Sequence, residues 1–254
     1  MSSRRHDHDA GGDEATLRDK ATLRDRVWER MRAEGVDRFP GAEGRIPNFT
    51  GAEDAAERLR DTAEWRRATT VKANPDSPQW PVRQRALEDA KTVYMAAPRR
   101  AAEQPFLRLD PERIEESARS ASSIKGASRN AEPVDVDDLE QVDLVVVGSV
   151  AVSDDGARLG KGGGFSDLEF AVAVEAGLID ETTVVVSTVH EVQVLPAGEL
   201  PMTDHDVPLD LVVTPERVID CRDGPYERPA GIVWEDLTEE KIASIPLLRR
   251  IRDR

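Results

Sequence analysis

The sequence predicts an α/β fold of three layers, α/β/α, with a mainly parallel sheet in the middle. Residues 144–152, 183–189 and 209–214 are short continuous apolar runs rich in β-branched side chains. Such runs suit parallel strands covered on both faces. Stretches with helical spacing alternate with them, which in one sheet implies right-handed crossovers. A glycine-rich segment, Arg158-Leu-Gly-Lys-Gly-Gly-Gly-Phe-Ser-Asp167, joins the first of these runs to an amphipathic one at 168–178. That order reads strand, loop, helix.

The elements follow from the N-terminus. Residues 1–12 are polar and read as a disordered tail; His6 and His8 within it are a weak metal pair whose plainer reading is two solvated side chains. From 14 to 34, Leu17, Leu23, Val27, Trp28 and Met31 keep helical spacing, and Gly35 marks the stop. Lys20 and Arg24 lie four apart and so share one helical face. After a loop at 39–51 come a helix ending near Trp65, a helix at 82–90 and a strand at 92–97 stopped by Pro98. Arg99 and Arg100 follow that strand's carboxyl end, the side that meets ligands in open α/β sheets. A helix is expected at 111–120. The serine-rich stretch 121–130, with Lys125, is expected as a mobile loop near the ligand. His190 follows a strand end, and His205 sits in Asp204-His205-Asp206; both are weighed as acid–base groups against a plain hydrogen-bonding role. Residues 225–254 read as a helical extension, with Arg249, Arg250 and Arg252 at the helix end that favours cations. The expected division is a tail at 1–12, an α/β domain at 13–224 and the extension.

The loop carries the chemistry. Gly160, Gly162, Gly163 and Gly164 allow backbone N–H groups to converge on an anion. The helix starting near Phe165 adds its unpaired N–H groups and positive dipole end. Arg158 and Lys161 supply charge, and Asp167 a hard oxygen suited to Mg²⁺. A Walker loop is excluded because Gly162, not Ser or Thr, follows Lys161. The dinucleotide fingerprint fails because Phe165 stands at its third glycine.

This loop resembles the ATP-phosphate loop of the 5-formyltetrahydrofolate cyclo-ligase (methenyltetrahydrofolate synthetase) family. Gln193-Val-Leu-Pro196, His205-Asp-Val-Pro-Leu-Asp-Leu-Val-Val-Thr-Pro215 and Lys20-Ala-Thr-Leu-Arg24 are similar to other parts of it. The segments Asp143-Leu-Val-Val-Val-Gly-Ser-Val-Ala-Val152 and Arg45-Ile-Pro-Asn-Phe49 resemble a divergent branch, the methenyltetrahydrofolate synthase domain-containing proteins. The likeness covers residues 14 to 220. It implies a NagB/RpiA/CoA-transferase-like fold and ATP- and Mg²⁺-dependent closure of 5-formyltetrahydrofolate to 5,10-methenyltetrahydrofolate. On that basis Lys20, Arg24, Arg158 and Lys161 surround the phosphates, with Arg158 and Lys161 catalytic. Gly160, Gly162, Gly163, Gly164 and Phe165 bind ATP, and Asp167 holds Mg²⁺. Phe165-Ser166 stands where typical members have Tyr-Tyr, and Ser166 is expected to cap the following helix. The segment 71–81 lacks the Glu that meets the pterin, leaving Asp76 and Phe165 as substrate contacts. These departures keep a second reading open: a nucleotide- or folate-binding paralogue without ligase turnover, for which the resemblance to the divergent branch implies a link to thiamine metabolism.

Composition sets outer limits. Thirty-five basic against 50 acidic residues leave a net charge of −15, which disfavours a nucleic-acid partner. Six of the basic residues are lysine; acidic excess with few lysines suggests a high-salt cytoplasm, to be tested by folding at low salt. One cysteine, Cys221, excludes an internal disulfide and a cysteine zinc site. No apolar run approaches about 18 residues and the N-terminus is polar, so no membrane span or signal peptide is expected. A cytoplasmic monomer acting on a small molecule is the expectation.

Overall fold

The computed structural model describes residues 10–97, 104 and 106–253; His6, His8, Arg99 and Arg100 lie outside them. The chain opens with α1 (Ala10–Ala33), a ribbon of β1 (Asp37–Arg38) and β2 (Asn48–Phe49), then α2 (Ala52–Arg60) and α3 (Ala63–Arg67). From β3 (Thr70–Ala73) it crosses through α4 (Trp80–Glu88) to β4 (Thr92–Ala96) and runs outward through β5 (Phe106–Leu109). Two short helices, α5 (Ala118–Ala121) and α6 (Ile124–Asn130), precede β6 (Glu132–Val134). β7 (Leu144–Val146) returns to the centre, and β8 (Ala151–Ser153) and β9 (Arg158–Leu159) lead to α7 (Phe165–Glu175). β10 (Val184–Thr188), β11 (Val194–Leu195), β12 (Leu211–Val213) and β13 (Val218–Asp220) follow, then α8 (Glu239–Ser244) and α9 (Pro246–Arg252).

The main sheet has the order β13-β12-β10-β7-β3-β4-β5-β6. Its five central strands, β12 to β4, are parallel, and antiparallel strands finish both edges. Along β7 and β10 side chains alternate between two cores. Val145 and Val185 meet α7 and the C-terminal extension, whereas Leu144, Val146 and Val186 meet α2 and α4. A sheet buried on both faces between helices is the predicted three-layer architecture. A third core packs α1 against the small sheet β11-β8-β9.

Strand order reverses between β3 and β7: the chain builds outward from β3 to β4, then returns to β7 and builds the other way. In open α/β sheets ligands bind at the carboxyl ends of strands at such a switch point.

Several expectations are corrected in detail. The single strand expected at 144–152 is two, β7 and β8, in different sheets. Gly148 lies at the break, where a Cβ would sit 2.9 Å from Ile46 Cγ2. The stretch 121–130 is not a loop: Ser123 accepts from the Gly126 N–H at 2.9 Å and starts α6. The helix expected at 111–120 is a 3-10 turn at 111–113 followed by α5. The long C-terminal helix is interrupted before Pro246, as a proline lacking an N–H would require. α1 starts at Ala10, ahead of Glu14.

Candidate functional site

At the switch point lies a cleft of about 370 Å³. Its floor is the carboxyl ends of β3, β4 and β7, represented by Asn74, Asp76, Ala96 and Gly148. The glycine loop with the start of α7 makes one wall, and Lys20 and Arg24 of α1 close it from above. Lys20, Arg24, Asp76, Arg158, Lys161, Phe165, Asp167 and all four loop glycines therefore line one cavity, although they span nearly 150 positions.

The loop owes its shape to local geometry. β9 anchors it on β8, and α7 begins with Gly164 as its N-cap at φ +61°, a left-handed conformation that favours glycine. Gly162 has φ +102°, and a Cβ there would lie 3.4 Å from the Arg24 guanidinium carbon. Arg24 in turn donates from Nε to the Gly160 carbonyl at 2.7 Å, so α1 and the loop are fastened together. Burial pulls the Arg24 pKa below its ordinary value, against the charges of Asp206 and Asp25. Ser166 does not cap the helix as expected; it lies inside α7 and receives the Asn74 amide at 2.6 Å.

Cations and carboxylates in the cleft are paired with one another. Lys20 is 5% exposed and bonds to Asp206. Burial alone would raise the Asp206 carboxyl, but Lys20 and Thr203 hold it below the usual range. Arg158 is 3% exposed; it pairs with Asp167 and donates to the Gly148 carbonyl at 3.3 Å. Asp167 also accepts from the Val207 N–H at 3.2 Å through the same oxygen. The residues expected to hold phosphate and Mg²⁺ thus hold each other beneath the loop. Lys161 is different: it is half exposed, 3.6 Å from Asp76, and its ammonium can swing to an incoming anion.

Among the described residues no cluster of three His, Cys, Asp or Glu could hold a metal ion by itself. A Mg²⁺ ion that arrives with phosphates takes only one or two carboxylates. Asp76 and the second oxygen of Asp167 offer that donor set, so the residues present fit the ion.

Sequence reasoning passed over two buried cations that support the cleft from behind its lining. Lys72 in β3 is 3% exposed and bonds to Glu169 of α7 at 2.8 Å; a lone cation inside an apolar strand was the available signal. Arg83 is fully buried and donates to the carbonyls of Asn74 at 2.5 Å, Asp76 at 3.2 Å and Ser122 at 3.0 Å. It fixes the chain that presents Asp76, and burial lowers its pKa to about 10. His205 lines the cleft, with Nε2 3.2 Å from Thr203 Oγ1. His190 does not line it; its Nδ1 accepts from the Val192 N–H at 3.2 Å, and burial lowers its pKa.

A glycine-loop cleft lined by lysine and arginine at the switch point of a mainly parallel sheet defines the class of this α/β protein. Residues 16–215 match the model of the 5-formyltetrahydrofolate cyclo-ligase family, and the chain belongs to that family. It is 38% identical over 231 residues to a methenyltetrahydrofolate synthase domain-containing protein of Bos taurus, covering 89% of this chain and 60% of that one. The corresponding protein of Homo sapiens is 36% identical over 233 residues, covering 90% and 60%. The chain therefore spans about 60% of the length of these curated relatives. Among solved structures, the 5,10-methenyltetrahydrofolate synthetase of Aquifex aeolicus shares the fold, with a TM-score of 0.51 at 21% identity over 82% of this chain and 96% of that one.

Proposed function

We propose that this chain binds MgATP in the switch-point cleft and closes 5-formyltetrahydrofolate to 5,10-methenyltetrahydrofolate. The supporting observation is that Lys20, Arg24 and Lys161 converge with the glycine loop and the α7 N-terminus on one cavity. In this reading the formyl oxygen attacks the γ-phosphorus and ADP leaves. N10 then attacks the activated formyl carbon, and phosphate departs with the formyl oxygen and takes up the N10 proton. Phosphoryl transfer needs positioning and charge neutralisation more than a protein nucleophile.

Each residue has a part that follows from its surroundings. Loop N–H groups and Lys161 bind the γ-phosphate, and Lys161 follows the charge as it develops because its side chain is mobile. Lys20 and Arg24 hold the remaining phosphates from the α1 side. Arg158, buried under the loop, orients Asp167 and keeps the loop root in place. Asp76 and Asp167 would hold Mg²⁺, which when bound shares the phosphate charge. The apolar rim at Leu17 and Ile124, both exposed at the cleft, excludes water from the transfer.

The test is spectroscopic. The chain is incubated with 5-formyltetrahydrofolate, ATP and Mg²⁺ at low and multimolar KCl while the methenyl chromophore is followed. Product is expected, and Lys161→Ala should abolish at least about 99% of it, as loss of one transition-state charge partner does. MgATP binding with no product at any salt concentration would replace this reading with that of a binding paralogue.

A further inference from the structure

One face of α1 changes character along its length. At about 3.6 residues per turn, Leu17, Lys20, Arg24, Val27, Trp28 and Met31 fall within an arc of about 100°. The C-terminal part of this stripe is rooted: Val27, Trp28 and Met31 are buried in the third core, and Trp28 donates from Nε1 to the Arg45 carbonyl at 3.1 Å. In the middle, Lys20 and Arg24 lie in the cleft on Asp206 and the Gly160 carbonyl. Leu17 continues the stripe, about 16 Å along the helix from Trp28, and it is 63% exposed. The core-facing stripe thus overhangs the mouth of the cleft and presents there a largely uncovered leucine.

A second lip matches it. Ile124 opens α6, is 54% exposed and lines the same cleft. Its mount is fixed: Arg83 donates to the Ser122 carbonyl at 3.0 Å, Trp80 to the Ser122 hydroxyl at 3.1 Å, and Ser123 accepts from the Gly126 N–H at 2.9 Å. Gly126 is packed so closely that a Cβ would lie 1.8 Å from the Ser120 carbonyl oxygen. Four large hydrophobic side chains are exposed among the described residues, Leu17, Phe39, Ile124 and Val218, and two of the four stand at this one cleft on elements far apart in sequence. With both more than half exposed the mouth is open to water, whereas a phosphorylated formyl group has to be shielded from it.

We propose that α1 is a lid: a triphosphate that draws Lys20 and Arg24 into the cleft brings Leu17 onto Ile124 and shuts the mouth. The proposal rests on the MgATP reading of this cleft and adds to it the control of access. The coupling is mechanical. Both cations and Leu17 share one face of a single helix, so a shift that turns Lys20 from Asp206 to phosphate carries Leu17 with it. MgATP favours the closed form because it meets both cations there, and removing two aliphatic side chains from water adds to the difference. The buried end of α1 and the fixed α6 serve as hinge and stop.

The experiment is thiol trapping in the full chain. The double variant Leu17→Cys/Ile124→Cys puts one thiol on each lip, and the native Cys221 does not compete, being buried with its thiol pushed up to about 12. A disulfide forms only when the two Cα atoms come within about 7 Å. Under oxidised glutathione, MgATP at full occupancy by calorimetry should raise the rate of the intramolecular disulfide by about tenfold or more. Leu17→Ala and Ile124→Ala give a second reading free of thiol chemistry. Each should weaken MgATP binding by about two- to fivefold, and the double variant no more than the stronger single one, since either loss removes the contact. A disulfide rate unchanged at full MgATP occupancy, one equally fast without MgATP, or losses that multiply in the double variant would overturn the lid and leave MgATP binding standing. A wild type that binds no MgATP would overturn the nucleotide reading itself, and the lid with it.

Discussion

The Lys20–Asp206 pair offers a sharp test because its two halves are unequally supported. Asp206 also accepts from the Thr203 N–H and hydroxyl, each at 2.7 Å, whereas among the described residues Asp206 is the one hydrogen-bond partner of Lys20. Their side chains are 7% and 12% exposed, so solvent screens the pair little. Removing one member of a buried pair costs about 3–5 kcal/mol when the other is left unsatisfied. Asp206→Asn strands the ammonium against a neutral amide, for an expected loss of about 2–4 kcal/mol. Lys20→Met leaves the carboxylate two hydrogen bonds and should cost less, about 1–2 kcal/mol. At about 2–4 °C per kcal/mol for a chain of this size, the melting temperature falls by about 5–15 °C in the first variant and about 2–8 °C in the second. Thermal melts of both variants and their double measure the coupling. The functional arm adds MgATP or sulfate. If Lys20 faces the phosphates, an anion should stabilise Asp206→Asn more than the wild type, because it replaces the missing partner. A reversed order of cost, or equal anion stabilisation in both proteins, would refute the assignment.

Other outcomes follow from single positions. Gly162→Ala imposes a side chain at φ +102° against Arg24; about 1–3 kcal/mol of strain and a weaker MgATP Kd by titration are expected. Arg83→Met leaves the two buried carbonyls of Asn74 and Ser122 without this donor and should lower stability by about 3 kcal/mol in urea unfolding, and Arg83→Lys should not restore it, since one ammonium cannot reproduce the fork. Burial, with Asp220, Asp155 and Asp154, pushes the Cys221 thiol up to about 12; it should resist a disulfide reagent at pH 8 and react once per chain after denaturation. Burial would raise the carboxyls of Asp89, Asp143, Asp155 and Asp206, yet their hydrogen bonds and cations hold all four below the ordinary range. Because the folded values are depressed, this stabilisation is complete above the unfolded pKa and is lost as pH falls below about 4. Melting temperature should hold from pH 7 to about 5 and then drop, less steeply in Asp206→Asn.

The layer architecture was legible because the β-branched runs of β7, β10 and β12 leave no room for a solvent-facing strand. Strands β3 and β5 were not. β3 reads Thr-Val-Lys-Ala, and its buried lysine breaks the apolar run that announces a central strand. β5 pairs antiparallel with the edge strand β6, with Arg108 and Glu132 paired across them, a pattern too short and too polar to stand out. The reading of 144–152 as one strand failed for a different reason. Apolar continuity cannot register a change of sheet, and the break at Gly148 is set by tertiary contact with Ile46. The helix α6 was missed because its serines suggest a loop, whereas Ser123 starts the helix.

The half of the site proposed to bind anions is carried by two short local segments, and so it could be read: the glycines, Lys161 and the start of α7 occupy one, and Lys20 and Arg24 sit one turn apart in the other. The wall that faces it is assembled from β3 and α7, where Lys72 and Glu169 bond across 97 positions. No local spacing reports such a set. What the structure adds is the logic of charge in an acidic protein. Within a chain of net charge −15, a positive cleft would be expected to be filled by the protein's own carboxylates, and it is: Asp206, Asp167 and Asp76 each face one of Lys20, Arg158 and Lys161. In the proposed reading, anion binding is an exchange in which a phosphate replaces a carboxylate at a cation already desolvated and oriented. That exchange favours the cation with the weakest hold, Lys161 at 3.6 Å and half exposed, and disfavours Arg158, which is buried against the partly buried Asp167. Lys161→Ala should therefore weaken MgATP binding while leaving the melting temperature within about 1–2 °C, as for an exposed pair. Arg158→Ala should lower the melting temperature by about 5 °C or more, in line with loss of one partner from a buried pair. The reverse pattern would place phosphate recognition beneath the loop instead of at its tip.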